Sequence, residues 1–216
     1  MTSYTQDRQR LRSAGVIPVL TIDDASKAVP LAKALVAGGL DAIEITLRTP
    51  CAAEAISEIV NSDVDCMVGV GTVLTAADVE TATKTGAQFL VTPATPPGLV
   101  APLSEFDGLV VPGISTPGEA LTLFESGFDL LKFFPAEACG GANMMKSLAS
   151  PLPALTFMPT GGIGPDMLAS YLSLPNVIAV GGSWLVKADD LKNDNWETIE
   201  ARARQASAAV KEIRPD

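Results

Sequence analysis

Residues 42–62 read AIEITLRTPCAAEAISEIVNS. The opening run, AIEITLR, has the alternation of a β-strand, and the Ala-rich stretch that follows it is typical of a helix. A strand followed directly by a helix is the repeating unit of a parallel sheet. The fold therefore depends on how often this unit recurs along the chain.

The same unit recurs along almost the whole sequence. Successive β-like runs are spaced by about two dozen residues, which suits βα units. Helix-like stretches such as TAADVETATKTGA (75–87) and TPGEALTLFESG (116–127) lie between the runs, beginning with a cap residue and ending at or near glycine. The eight runs are VIPVLTI (16–22), AIEITLR (42–48), CMVGVGTV (66–73), FLVTPA (89–94), GLVVPGI (108–114), LLKFFPA (130–136), LTFMPTGGI (155–163) and VIAVGGSWL (177–185).

Eight βα units predict an α/β fold in which one (β/α)8 TIM barrel domain covers residues 1–216. An extra N-terminal helix, at about residues 4–12, would close the bottom of the barrel. The same alternation permits an open doubly wound sheet, but no GxGxxG follows the first strand, so we favour the barrel. Pro30 lies inside the first helical pattern and predicts a kink or a late helix start.

The overall charge and hydropathy exclude several classes of partner. The chain carries 25 acidic and 15 basic residues, for a net charge of −10, so most of its surface would repel a nucleic acid. It has neither an N-terminal apolar stretch of signal-peptide length nor an uninterrupted apolar segment of about 18 residues, so we expect a cytoplasmic protein without a membrane partner.

The cysteine and histidine counts limit the possible disulfides, metal sites and catalytic groups. The three cysteines are odd in number and widely spaced, which argues against a disulfide framework and against a CxxC metal site. The chain contains no histidine, which excludes histidine-based triads, histidine-ligated zinc and histidine general bases. Lys, Glu, Asp, Cys and Tyr remain for proton transfer.

Polar residues on the second strand predict the position of the active site. Alternate residues of a barrel strand point inward, and active sites lie at the carboxyl ends of the strands. In AIEITLR, Glu44, Thr46 and Arg48 share the face that we expect to point into the barrel. The alternative is a structural ion pair between Glu44 and Arg48 that fills the barrel.

The stretch LLKFFPAE (130–137) places Lys132 inside an apolar run, on the same face as Leu130 and Phe134. Lys132 could sit at a strand end, where it reaches water or pairs with a carboxylate. Alternatively, the apolar setting disfavours the charged form and leaves a neutral amine as nucleophile. We favour the nucleophile, because an inward Lys132 shares one chamber with Glu44 and Arg48, which would act as acid/base and anion-holding group.

Two glycine pairs lie at the ends of the last two strands, in PTGGI (159–163) and VGGSW (180–184). Backbone N–H groups at such positions can approach a phosphate, and barrels often bind phosphate there. Structural glycines at tight turns are the alternative. In GVGTV (69–73), Thr72 at the end of the third strand could donate to a carboxylate, or could cap the next helix.

Six motifs occur together in this chain, namely IEITLRTP, GVGTVL, VPGIST, LLKFFPAE, MPTGGI and GGSWLVKAD. From about residue 14 to residue 190, the chain resembles the 2-dehydro-3-deoxy-phosphogluconate (KDPG) aldolase family. These are the class I aldolases of the Entner–Doudoroff pathway, some of which also cleave 4-hydroxy-2-oxoglutarate. The resemblance implies a homotrimeric (β/α)8 barrel that uses neither a metal nor a cofactor.

The resemblance also implies roles for individual residues. Lys132 would form the Schiff base, and Glu44 would be the general acid/base. Arg48 and Thr72 would hold the pyruvate carboxylate, and Pro93 and Phe134 would line the pyruvate pocket. The phosphate end of the substrate would meet Thr160, Gly161, Gly162, Gly182 and Ser183.

One segment departs from the family pattern. Residues 91–98 read VTPATPPG, with Ala94 where a glycine is usual and two further prolines beyond Pro93. We expect this loop to be stiffer and differently shaped, which leaves the breadth of substrates open.

The activity implied by the resemblance is reversible cleavage of 2-dehydro-3-deoxy-6-phosphogluconate to pyruvate and glyceraldehyde 3-phosphate by a carbon–carbon lyase. Three alternatives stay open from the sequence: an aldolase for the galactonate epimer, a phosphate-binding epimerase or isomerase, and a non-catalytic sensor of a sugar-acid phosphate. The stereochemical preference at C4 depends on side-chain placement that the sequence does not provide.

Overall fold

The computed structural model describes residues 4–215. Within this range, the chain forms nine strands and ten α-helices. The strands are β1 (Val16–Leu20), β2 (Ala42–Thr46), β3 (Met67–Gly71), β4 (Phe89–Val91), β5 (Leu109–Val111), β6 (Gly113–Ile114), β7 (Leu130–Phe133), β8 (Thr156–Pro159) and β9 (Val180–Gly182). The helices are α1 (Thr5–Ala14), α2 (Ala28–Ala37), α3 (Ala52–Val60), α4 (Ala76–Thr85), α5 (Pro97–Ser104), α6 (Pro117–Glu125), α7 (Gly141–Leu148), α8 (Leu168–Leu172), α9 (Ala188–Lys192) and α10 (Trp196–Ile213).

All strand pairs are parallel. Six strands form one sheet in the order β5-β4-β3-β2-β1-β9, and the other three form a sheet in the order β6-β7-β8. The last strand thus pairs with the first, whereas a doubly wound sheet reverses its order next to the first strand. The chain has an α/β fold built on a curled parallel sheet.

The two sheets approach each other at two places. Only Pro112 separates β5 from β6. Isolated bridges join Phe157 of β8 to Val177, which precedes β9, and Thr160, which follows β8, to Gly181 of β9. The fifth predicted run, 108–114, is therefore two short strands. Proline has no N–H to give to a ladder, although the carbonyl of Pro112 still accepts a hydrogen bond from the Lys132 N–H at 2.9 Å.

Buried apolar side chains form two clusters. The larger cluster packs the outer faces of the strands against the helices. The smaller one, which we call the interior cluster, takes residues from both sheets and from α1. Its members are Leu11, Ala14, Ile17, Ala42, Met67, Phe89, Val91, Leu109, Val111, Leu130, Met158, Ile178 and Ala179.

A polar layer lies directly beyond the interior cluster. Side chains two residues apart on a strand share a face. Glu44 follows Ala42 by two residues, and Lys132 follows Leu130 in the same way. The carboxyl ends of the strands therefore carry polar groups above an apolar floor.

Two helices near the N-terminus correspond to the sequence predictions. Helix α1 occupies the segment predicted as an extra N-terminal helix, and its Leu11 is completely buried in the interior cluster. Helix α2 begins late, at Ala28, after a short 3-10 turn. Pro30 consequently lies in the first turn, where a missing N–H costs no intrahelical hydrogen bond.

No helix within residues 4–215 combines the length and the apolar content needed to cross a membrane.

Cys51, Cys66 and Cys139 are free thiols.

We expect Leu11→Ala to lower the free energy of unfolding by about 2–5 kcal/mol, because it leaves a cavity where α1 packs against the strands. Denaturant titration followed by circular dichroism measures the change. Leu74→Ala is the control, since Leu74 is 53% exposed. Equal, small effects of the two substitutions would contradict the packing role of α1.

Candidate active site

A buried ion pair lies at the centre of the polar layer. The Nζ of Lys132, on β7, donates to Oε1 of Glu44, on β2, at 3.2 Å. Lys132 is 4% exposed and Glu44 is fully buried. The structure thus brings together the two residues predicted to be catalytic, and the sequence alternative of a lysine paired with a carboxylate describes the same contact.

The neighbouring strand β3 makes room for the Glu44 carboxylate. Glu44 is the register partner of Gly69, and Thr46 is the register partner of Gly71. A Cβ at Gly71 would lie 2.1 Å from Oε1 of Glu44, closer than any side chain could tolerate. Only glycine at position 71 therefore leaves room for the Glu44 carboxylate.

The second carboxylate oxygen of Glu44 differs from the first in its contacts. Within residues 4–215, Oε2 is buried and has no hydrogen-bond partner. A buried acceptor without a donor is costly, so this oxygen is available to a substrate hydroxyl or to water. A proton can pass between Lys132 and Glu44 at one oxygen while the other oxygen meets the ligand.

Two threonine hydroxyls meet where β1 and β2 end. Thr46 donates to the carbonyl of Leu20 at 2.8 Å, and its Oγ1 lies 3.1 Å from Oγ1 of Thr21. The sequence placed Thr46 on the inward face, but reasoning from the sequence missed Thr21. The available signal was its place directly after β1, two residues beyond the half-buried Val19.

The structure corrects the position of Arg48. Strand β2 ends at Thr46, and the Arg48 N–H turns back to the Thr46 carbonyl at 2.8 Å, so the strand alternation does not reach Arg48. Arg48 is exposed at the strand end, where its Nε donates to Oγ1 of Thr72 at 3.1 Å. The structural Glu44–Arg48 pair considered above is not formed, because Glu44 pairs with Lys132.

Thr72 directly follows β3 and has a positive φ of 60°. A threonine is rare in this backbone region, which suggests that the position serves the site. Helix α4 is capped by the side chain of Thr75, so the cap predicted near Thr72–Thr75 belongs to Thr75.

Phe134 and Pro93 lie half-buried near the ends of their strands. The Phe134 ring centroid is 5.4 Å from the Lys132 Nζ, a distance at which a ring attracts an ammonium group. Phe134 thus bounds the chamber on the side of the lysine.

The VTPATPPG loop, which departs from the family pattern, has its own hydrogen bonds. The Gly113 N–H donates to Oγ1 of Thr92 at 2.7 Å, and Thr95 donates to the Gly113 carbonyl at 3.1 Å. Pro96 occupies the N-cap position of α5, and Pro97 is its first residue, where proline is favoured. The two further prolines therefore start a helix, and the threonines, which reasoning from the sequence missed, tie the loop to the strand next to Lys132.

The two glycine pairs lie beside each other. Thr160 is buried and bridges to Gly181, while Gly161 and Gly162 have positive φ values of 103° and 81°. Gly182 ends β9, and the side chain of Ser183 is exposed just beyond it. Within residues 4–215, the N–H groups of Gly162 and Ser183 have no protein acceptor.

A cavity of about 610 Å³ opens between β1, Ser183 and the segment around α9. Of the predicted site residues, it includes Ser183 but neither Lys132 nor Glu44. The full lining is Val19, Leu20, Thr21, Asp23, Asp24, Lys27, Ser183, Val186, Lys187, Ala188, Asp189, Leu191 and Lys192.

The part of the chain described by the structure contains no group of three or more His, Cys, Asp or Glu side chains arranged to hold a metal ion.

Comparison with known proteins identifies the family. The family model for KDPG and KHG aldolase matches residues 8–202. The 2-dehydro-3-deoxy-phosphogluconate aldolase of Dickeya dadantii (strain 3937) is 43% identical over 211 residues, which are 97% of this chain and 99% of the relative.

Two solved structures support the same assignment. KDPG aldolase from Legionella pneumophila, with pyruvate captured at low pH as a covalent carbinolamine intermediate, has a TM-score of 0.88 and 37% identity, covering 93% of this chain and 97% of that one. The 2-keto-3-deoxy-6-phosphogluconate aldolase of Zymomonas mobilis ZM4, with 3-phosphoglycerate, has a TM-score of 0.86 and 40% identity, covering 95% and 96%. The chain described here belongs to the KDPG and KHG aldolase family.

Proposed function

We propose that this chain is a class I aldolase, an aldehyde-lyase that reversibly cleaves 2-dehydro-3-deoxy-6-phosphogluconate to pyruvate and glyceraldehyde 3-phosphate. The observation that carries the proposal is the buried contact between Lys132 and Glu44, in which one carboxylate oxygen has no protein partner. Family membership and the printed names of the relatives support the substrate.

The first step is formation of the Schiff base. Transfer of a proton from Nζ to Oε1 across the 3.2 Å contact leaves a neutral amine on Lys132. The amine adds to the C2 ketone of the substrate, and the resulting carbinolamine loses water as Glu44 donates a proton to the departing hydroxyl. The product is an iminium ion between Lys132 and C2.

The iminium ion then serves as an electron sink. The C4 hydroxyl gives its proton to Glu44, through a water molecule, the C3–C4 bond breaks, and its electrons form an enamine while the aldehyde leaves. Glu44 returns a proton to C3, and hydrolysis of the new iminium ion releases pyruvate and regenerates the amine. The Oε2 atom, which faces no protein donor, is the oxygen that meets the hydroxyl or the water.

The remaining predicted residues hold the two ends of the substrate in this proposal. Arg48 and Thr72, joined by a hydrogen bond at the strand ends, take the keto-acid carboxylate. Pro93 and Phe134 line the pyruvate pocket. The phosphate meets the paired loops at the ends of β8 and β9, where the N–H groups of Gly162 and Ser183 lack protein acceptors. Thr160, Gly161 and Gly182 complete this end.

We also propose that 4-hydroxy-2-oxoglutarate is a second substrate, because the matching family model includes KHG aldolases. The same chemistry applies, since this compound shares the 2-keto and 4-hydroxyl groups on which Lys132 and Glu44 act.

The proposal extends to the fold, the oligomeric state, the pathway and the cellular location. We propose that residues 1–216 form one closed eight-stranded barrel, with β5 and β6 counted as one strand broken at Pro112; the bridges between β8 and β9 and the shared interior cluster support this. The homotrimer and the place in the Entner–Doudoroff pathway rest on the resemblance. A cytoplasmic location is supported by the three free thiols.

Incubation with pyruvate and borohydride in the presence of EDTA tests the central step. We expect intact mass and peptide mapping to show a reduced pyruvate adduct on the Lys132 peptide, because the buried amine forms an imine without a metal. Lys132→Ala should abolish both the adduct and turnover, whereas Lys146→Ala, which changes an exposed lysine on α7, should affect neither. Unchanged turnover in Lys132→Ala would end the proposal.

Glu44→Gln separates binding from proton transfer. The amide fills the same space beside Gly71 but cannot exchange protons, so we expect slow adduct formation to remain while kcat falls about 10²- to 10⁴-fold. Steady-state kinetics together with borohydride trapping measure the two effects. A kcat within the range of the unmodified enzyme would remove Glu44 from the mechanism.

Arg48→Ala should mainly weaken binding of the keto acid, because the side chain lies outside the buried chamber that contains Lys132. Loss of one charged hydrogen bond predicts a KM higher by roughly 10- to 100-fold. Arg204→Ala is the control, since Arg204 lies on the distant helix α10 and pairs with Glu200. An unchanged KM in Arg48→Ala would contradict its role in holding the carboxylate.

A further inference from the structure

A buried tyrosine outside the proposed mechanism contacts the segment that follows the lysine strand. Tyr171, on α8, is fully buried, and its hydroxyl donates to Oε1 of Glu137. Glu137 is the last residue of the LLKFFPAE motif and stands in the short turn after β7. The proposed mechanism uses neither residue.

The backbone around Glu137 is tied to the first glycine pair. The Ala136 N–H donates to the carbonyl of Thr160 at 2.8 Å, and the Glu137 N–H donates to the carbonyl of Gly161 at 3.1 Å. The segment that leaves β7 thus runs along the segment that leaves β8. These contacts connect the strand that carries Lys132 to the Gly161–Gly162 turn.

The Glu137 side chain forms a wall of that turn. A Cβ at Gly162 would lie 2.8 Å from the Glu137 Cβ, so the stem of Glu137 packs directly against the glycine backbone. The carboxylate approaches Gly141, where a Cβ would lie 2.8 Å from Oε1 and 3.2 Å from the Tyr171 hydroxyl. Glycine at both positions allows the carboxylate to reach the tyrosine.

The environment keeps the tyrosine a donor. Burial, together with the hydrogen bond to Glu137, raises the pKa of Tyr171 well above its usual range. A raised pKa in the folded state means that the contribution of this bond to stability is complete below the ordinary tyrosine pKa of about 10 and is lost only as the pH rises above it. The contact therefore persists at neutral pH.

We propose that Tyr171 and Glu137 are positioning residues that hold the Gly161–Gly162 turn at a set distance from Lys132, so that the turn is preformed for the anionic end of the substrate. Neither residue touches the reacting atoms. The pair acts on the turn through the Glu137 stem and the two backbone hydrogen bonds. This inference rests on the proposed aldolase function and assigns a specificity role within it.

The test uses aldol addition of pyruvate to two aldehydes that differ only in the phosphate, glyceraldehyde 3-phosphate and glyceraldehyde. We expect Tyr171→Phe to raise the KM for the phosphorylated aldehyde roughly tenfold, the effect of losing one hydrogen bond to a charged group, and to leave the KM for glyceraldehyde unchanged. Deuterium exchange at C3 of pyruvate, which reports only the chemistry at Lys132, should also be unchanged.

The chain offers a matched control, because it contains two tyrosines and both hydroxyls donate to carboxylates. Tyr4→Phe removes the 3.4 Å contact between the Tyr4 hydroxyl and Asp107 and should not alter the KM for either aldehyde. Glu137→Gln retains an acceptor for Tyr171 and should keep most of the phosphate preference. Glu137→Ala should behave like Tyr171→Phe, and because Glu137 is exposed it provides the measurement if Tyr171→Phe does not fold.

Several results would overturn the inference. One is an unaltered preference for the phosphorylated aldehyde in both Tyr171→Phe and Glu137→Ala. Another is an equal loss of activity with both aldehydes and in deuterium exchange, which would indicate a structural role only. An unmodified enzyme that does not distinguish the two aldehydes would show that the turn binds no anion. An unmodified enzyme that forms no borohydride adduct with pyruvate would instead refute the proposed aldolase function.

Discussion

The contact between Lys132 and Glu44 is the constraint on which the rest of the structure depends. Removing two opposite charges from water costs several kcal/mol for each ion, and their mutual attraction offsets this cost. The 3.2 Å contact supplies that attraction, and loss of either partner would leave an uncompensated buried charge. Since well-packed apolar residues can often take the place of such a pair without loss of stability, the pair is better explained by its proposed chemistry than by stability.

The scaffold holds this pair by simple strand geometry. Side chains two residues apart share a face, so Glu44 and Lys132 stand directly beyond the interior cluster, which contains Ala42, Leu130 and, from α1, Leu11. Gly71 of β3 leaves the space that the carboxylate occupies. The groups proposed to hold substrate lie farther out, at the strand ends. In the proposed mechanism, strands thus carry the chemistry, and the connecting loops carry specificity.

Predictions from the sequence were most accurate inside the strands and less accurate at their ends. Alternation placed Glu44 and Lys132 correctly because both lie within regular strands. The same alternation was wrong for Arg48, because β2 ends two residues earlier and the chain turns. Reasoning from the sequence also missed the hydroxyl contacts of Thr92 with Gly113 and of Tyr171 with Glu137. These partners are 21 and 34 residues apart, and no local pattern indicates such contacts.

Periodicity and composition are local properties of a chain. The sequence alone therefore indicated the order of segments, the inward faces of the strands and a candidate lysine nucleophile. The family motifs added the expected roles. Folding determined which groups meet: Lys132 pairs with Glu44, Arg48 with Thr72, and the segment after β7 with the glycine turn after β8. Each of these contacts joins two different strands or the segments that follow them. Their geometry depends on strand register, on where each strand ends and on the space that glycines leave, and these are defined only once the sheet has formed.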